Sequence, residues 1–437
     1  MNMKKMMMAL AAGSLAIAAQ ALTLSVKDVK IAQRYPWNGL VDIDYTVVCD
    51  EPATNIWVYP VGYDADFNVS VAPRTLEGDG VNGAPVTVGA EGEKTFRMTW
   101  NMAADMPANY NRAKFSMKMY AYAGAAPYMV IDLSPGAEAE KYEVSYLSEM
   151  PATSWPLEYK TTKLVLKLVA PGTFMMGSPV DELGHNWNSS YSDETRHQVT
   201  LTQPFYMGVF ELSQQQYNLV MGSNPSNYKG DSRPVECVSY ETIRGSTLGA
   251  AWPSHRQVDA SSFMGKLRSR TGLTFDLPTE AQWEYTCRAG TGSALNNGLE
   301  ITNTTASVQL NDIARYSGNI SDGRGGYRQH TEVGSYRPNA WGFYDMHGNV
   351  AEWCLDWWGN MSASSVTDPL GKITGTHRLV RGGCWNAGQV GNAAACRSAY
   401  RSYYVYYHTG SSGYSSYTTP TLYGYCWGFR VACFPAE

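Results

Sequence analysis

The chain has 437 residues, of which only 17% are charged, and its 34 Lys plus Arg nearly balance 39 Asp plus Glu. That length exceeds what one hydrophobic core usually supports, so two domains are expected. No basic run provides the electrostatic footprint of a nucleic-acid binder, and no segment beyond the N-terminus is apolar for long enough to span a bilayer.

Residues 1–21 read as a secretory signal peptide. Lys4 and Lys5 give the positive start, Met6 to Ala19 the apolar stretch, and Ala19-Gln20-Ala21 a small-x-small cleavage site. The expectation is an exported protein, periplasmic, cell-surface or secreted. In such a compartment the eight cysteines are candidates for bridges. Seven of them, from Cys237 to Cys433, fall in the C-terminal part, so at least one is free or pairs with Cys49 or another chain.

Residues 22–151 carry strands and turns. Val41 to Val47 alternates apolar and polar side chains, Phe67 to Val71 repeats the pattern, and Lys114 to Tyr122 alternates again. Glu77-Gly78-Asp79-Gly80 and Val81-Asn82-Gly83 are turn material. This spacing predicts an all-β, immunoglobulin-like sandwich. Residues 152–162 read as a linker, and a second, α+β domain is expected over 163–437. It should contain helices at about Ser213 to Met221, capped by Ser213, and at about Ser261 to Arg270, ended by Gly272. A short third helix should start after the cap Thr279. Beyond Arg288 periodicity fades into Gly, Asn, Ser and aromatic residues, which implies much irregular backbone.

A series of motifs runs through this second part in order: Gly172-Thr173-Phe174-Met175-Met176-Gly177, Glu211-Leu212-Ser213, Pro234-Val235, Leu277-Pro278-Thr279-Glu280-Ala281-Gln282-Trp283-Glu284, Gly348-Asn349-Val350-Ala351-Glu352-Trp353, Arg381-Gly382-Gly383-Cys384-Trp385, Arg397-Ser398-Ala399-Tyr400-Arg401 and Gly428-Phe429-Arg430. Together they resemble the domain of formylglycine-generating enzymes, the sulfatase-modifying factors. The resemblance implies a loop-rich, C-type-lectin-like fold. Arg397, Arg401 and Arg430 are expected to tie loops together, since a guanidinium offers a rigid multi-donor fork.

Enzymes of that kind oxidise a cysteine of a sulfatase peptide to formylglycine with copper held by two cysteines. The resemblance puts the two positions near Ala387 and Gly391, and neither carries sulfur. The expected reading is therefore a non-catalytic domain without copper. The alternative is an oxidase with a displaced pair, Cys384 and Cys396. A second branch of the superfamily holds iron by histidines, but the seven here are scattered, so no iron is expected. The resemblance further implies a structural Ca²⁺ at Asn349, Val350 and Glu352, and a disulfide between Cys287 and Cys396.

The variable-looking region, about 384–426, ends in an unusual run. Eight of the 24 residues from Tyr403 to Cys426 are Tyr, and none is Lys, Arg, Asp or Glu. Tyrosine brings rigid amphipathic contact area while Ser and Gly adapt around it, as in antibody loops. Randomising the adenines of an Asn codon yields Tyr, Ser, Gly, Cys, His or Thr but never Lys, Glu, Gln, Met or Trp, and those five are missing from the run. This resembles the variable region of retroelement-diversified proteins. Tyr403, Tyr404, Tyr406, Tyr407, His408, Tyr414, Tyr417, Tyr423 and Tyr425 are the candidate ligand-binding residues, for a protein, peptide or glycan.

Overall fold

A computed structural model describes residues 24–35, 38–64, 69–71, 73–81, 84–106, 115–123, 126–186, 193–245, 257–320, 329–372, 375, 377–386, 390–405 and 424–434. The N-terminal part is an antiparallel β-sandwich. One sheet has the order Leu24–Gln33, Leu40–Cys49, Glu93–Asn101, Leu76–Gly78; the other joins Val69–Val71, Ala53–Asp64 and Val86–Val88, with Phe115–Ala123 also paired to Ala53–Asp64. The alternation of Leu40–Cys49 works as its sequence demands: Ile43, Tyr45 and Val47 are fully buried, while Asp42 and Asp44 point outward to Arg34 and Arg97. Those exposed ion pairs contribute little; the apolar face, which meets Met98 and Trp100, carries the stability. Glu77-Gly78, expected as turn, is the end of a short edge strand, and the turn follows at Asp79-Gly80.

The second region is built on a six-stranded sheet in the order Glu143–Leu147, Tyr128–Asp132, Lys163–Val169, Phe205–Gly208, Ala432–Phe434, Thr274–Asp276. Its first two strands lie before the expected linker at 152–162. Val130 and Ile131 are both buried, so this strand has cover on each face and pairs with Lys163–Val169 rather than with the sandwich. The stretch 152–162 is itself packed: Trp155 and Tyr159 bury against Val165 and Phe210.

Helices form where their caps predict. Gln214–Met221 starts at Ser213 with a capping box to Gln216 and stops at left-handed Gly222. Phe263–Thr271 starts at Ser262 and stops at Gly272, and Glu280–Arg288 starts at Thr279. Each cap stabilises its helix by about 1 kcal/mol. A further short helix, Tyr240–Arg244, has the same signature in Ser239 and Thr242.

Irregular backbone is locked by buried arginines. Arg381 donates to the carbonyls of Ser398, Ala399 and Tyr400 and to Glu284. Arg401 binds both oxygens of Glu280 at 2.6 and 2.8 Å, and Arg430 both oxygens of Glu352 at 2.6 and 2.5 Å. Together with Arg397 on Glu182 and Glu194, these contacts give the three arginines of the sequence motifs a framework role.

Candidate functional site

A four-stranded sheet in the order Ser402–Val405, His377–Arg381, Ala351–Trp357, Trp427–Gly428 carries both ends of the Tyr-rich run. Leu379 faces Tyr403 and Arg378 faces Tyr404 in the antiparallel ladder at the first foot. At the second, Trp427 runs parallel to Ala351. Tyr406, Tyr407, His408, Tyr414, Tyr417 and Tyr423 lie outside the described residues, and Tyr403 and Tyr404 are placed by backbone alone. Tyr425 is half-buried: its carbonyl accepts the Trp385 indole N–H at 2.9 Å, and its ring meets Tyr228 edge-on at 5.6 Å.

Beneath this foot sits a cluster that the sequence did not reveal. Tyr228 makes edge contacts with Trp385 at 5.3 Å and His330 at 5.9 Å. Glu236 Oε1 accepts the N–H groups of Asn227 and Tyr228 at 2.6 and 2.8 Å and stands 3.7 Å from His330 Nε2. Among the described residues, Glu236 Oε2 and both His330 ring nitrogens have no hydrogen-bond partner, although both side chains are fully buried. Burial pulls the His330 pKa down while Glu236 opposes it. Glu236 follows the Pro234-Val235 motif, but nothing local in the sequence links it to His330.

Of the two positions where the family's thiols are expected, Ala387 lies outside the described residues, and Gly391 uses its carbonyl to accept the Ser317 N–H at 2.9 Å. All eight cysteines carry free thiols in this structure, Cys287 and Cys396 of the expected bridge among them. Cys287 Sγ lies instead 3.7 Å from Ser398 Oγ and from the Met346 carbonyl, in a different core cluster from Cys396. Cys396 Sγ packs against Gly383, where a Cβ would come within 2.7 Å of it. That places Cys396 beside Cys384, the displaced pair of the alternative reading. Burial pushes the Cys396 thiol well above its ordinary range and Cys287 up to about 12, so both are protonated at neutral pH. Among the described residues, no group of three or more His, Cys, Asp or Glu side chains could hold a metal ion.

The three residues expected to hold calcium make other contacts in this structure. Glu352 spends one oxygen on Arg430 and the other on Arg430 and the Trp283 indole. Asn349 donates to Glu211 at 2.6 Å, accepts from the Thr331 N–H at 2.9 Å through its side chain and from the Trp385 N–H at 3.0 Å through its carbonyl. The Val350 N–H donates to the other Glu211 oxygen. A cation here would face the Arg430 guanidinium. Two nearby carboxyls have their proton affinity raised instead: burial and the neighbouring Asp345 lift Glu211 well above the usual carboxylate range, and burial lifts Asp345 to about 6.

His347 shows how the interior is satisfied elsewhere. Its Nδ1 donates to the Cys396 carbonyl at 2.6 Å and its Nε2 accepts the Asn296 N–H at 3.1 Å, which fixes a neutral tautomer. Burial holds it neutral, with a pKa pulled down to about 4.

Among the described residues no helix is long and apolar enough to cross a membrane. "Chaperone protein LppX" of Paenibacillus barcinonensis is 30% identical over 229 residues, 45% of this chain and 73% of that protein. The formylglycine-generating enzyme of Streptomyces coelicolor is 38% identical over 120 residues, which spans 25% of this chain and only 35% of the enzyme. Among solved structures, Treponema denticola variable protein 1 aligns with 25% identity and a TM-score of 0.44, over 63% of this chain and 96% of that one. The model of the sulfatase-modifying factor enzyme 1-like domain matches residues 157–414, more than half of the chain, and the protein belongs to that family.

Proposed function

We propose that this chain is an exported, non-catalytic binding protein that displays its Tyr/Ser/Gly-rich segment on a formylglycine-generating-enzyme-like scaffold. One observation carries the reading. An uncharged, phenol-rich run is held at both ends by one buried sheet, while the positions expected to grip copper, Ala387 and Gly391, offer no sulfur. Fixing the feet of a recognition loop lowers the entropy lost on binding, and tyrosines supply contact area with few rotatable bonds. The ligand class is a protein, peptide or glycan, with aromatic loops favouring a protein. The signal-like residues 1–21 support export. The residue types of the run, all within reach of adenine-randomised Asn codons, support diversification by a retroelement, which an adenine-mismatched repeat beside a reverse-transcriptase gene would establish.

The test is to pan the purified chain against a random peptide library and a glycan array, beside a version with Tyr403, Tyr406, Tyr414, Tyr417 and Tyr423 changed to Ser. Ligands that lose at least about tenfold in affinity with the Ser version support the proposal. Equal binding by both versions would sink it. A second reading, a copper oxidase acting through Cys384 and Cys396, draws on the closeness of Cys396 to the Gly383-Cys384 turn. Thiol-dependent oxidation of a sulfatase-like peptide cysteine by the copper-loaded chain would favour it.

A further inference from the structure

The second foot of the Tyr-rich run brings Cys426 to Cys384, a pairing that the binding reading does not use. The Cys426 side chain lies against Cys384 and the Asn386 backbone, and Cys384 Sγ donates to the Asn386 carbonyl at 3.7 Å. Both residues are buried in the same core cluster, with Trp385 and Trp427 beside them. The bond from the Trp385 indole to the Tyr425 carbonyl, 2.9 Å, ties the residue after one thiol to the residue before the other. Other cysteines are near but differently placed. Cys396 Sγ faces Gly383 from another cluster, and Cys237 Sγ lies where a Cβ on Gly424 would come within 3.4 Å.

We propose that Cys384 and Cys426 are oxidised to a disulfide that staples the C-terminal foot of the Tyr-rich segment to the turn after Arg381. Each sulfur gives up one proton and one electron and a new S–S bond forms. The co-reactant is a small-molecule disulfide of the glutathione type, which takes up both protons and both electrons and splits into two thiols. The bond closes a long loop that contains the whole run, so it restricts the unfolded chain and fixes the foot in the folded one. That the staple serves recognition rests on the binding reading; the pairing itself does not.

The experiment equilibrates the full chain with oxidised glutathione, blocks remaining thiols, and maps linked peptides after trypsin and then chymotrypsin, which separates Cys384 from Cys396 at Trp385. A Cys384–Cys426 peptide is expected. A Cys384–Cys396 or Cys237–Cys426 peptide, or blocked thiols at both positions, would overturn the proposal. Reduction should lower the Tm by roughly 5–10 °C, and Cys426→Ser should abolish that redox dependence. A drop that persists in Cys426→Ser would also overturn it. Failure of the peptide and glycan panning leaves these outcomes unaffected, so the two ideas fail separately.

Discussion

Replacing Arg397 with methionine tests whether the motif arginines are framework or ligand contacts. Arg397 is fully buried. Its Nη1 donates to Glu182 Oε1 at 2.5 Å and Glu194 Oε2 at 2.8 Å, its Nη2 to Glu194 Oε1 at 2.7 Å and to the Gly184 carbonyl, and its Nε to the Ala394 carbonyl at 3.1 Å. Methionine keeps much of the volume but takes the guanidinium away from two buried carboxylates. Removing one partner of such a pair costs about 3–5 kcal/mol. At roughly 2–4 °C per kcal/mol for a domain of this size, the Tm should fall on the order of 10 °C. Arg397→Lys, which keeps the charge and loses the planar fork, should fall between. The double variant Arg397→Met/Glu194→Gln should recover part of the loss, because one stranded charge is gone. Scanning calorimetry of the full chain reads all three. An Arg397→Met chain that melts within about 2 °C of the parent would refute the framework role.

The raised Asp345 carboxyl sets a pH dependence. Its folded pKa of about 6 lies above the ordinary 3.8 of an aspartate, so its favourable effect is present at low pH and lost as pH rises through 6. The difference corresponds to on the order of 3 kcal/mol at neutral pH. Asp345→Asn should therefore stabilise the chain at pH 8 and do little at pH 4 in denaturant titrations. Destabilisation at pH 8, especially with calcium present, would instead point to a charged, metal-bound carboxylate. Gly383→Ala places a Cβ 2.7 Å from Cys396 Sγ and 2.8 Å from the Ala395 carbonyl, at φ +72°, and should cost roughly 2–3 kcal/mol. Gly272→Ala has a similar φ of +74° with nothing within 4 Å, so its cost should be only about 1 kcal/mol in the same urea titration. Equal costs would mean that the close approach at Gly383 is relaxed.

What could be read from the sequence divides by range. Ser213, Thr279 and Gly272 were legible because a cap acts on backbone within three or four residues. The sandwich strands were legible because alternation is a local pattern. Which sheet a strand joins is not local. Tyr128–Asp132 reads as strand in either setting, and only its partner Lys163–Val169 decides the matter. Motif residues were legible by type but not always by duty. Glu352 is an oxygen donor as expected, yet Arg430 and Trp283 take it. The Glu236–His330 pair and the convergence of Cys384 and Cys426 join residues far apart in the chain. Composition and spacing say nothing about such meetings.

The sheet beneath the Tyr-rich run sets how freely that run can change. Its feet stand on the outer strands of a four-stranded sheet, three strand spacings apart, which amounts to roughly 14 Å. Eighteen residues, 406–423, separate the two anchors, a reach far beyond that gap for an extended chain. The anchors belong to the framework strands Ser402–Val405 and Trp427–Gly428. Substitutions in residues 406–423 can accumulate with the scaffold's melting unchanged, so recognition and stability are free to evolve on separate accounts.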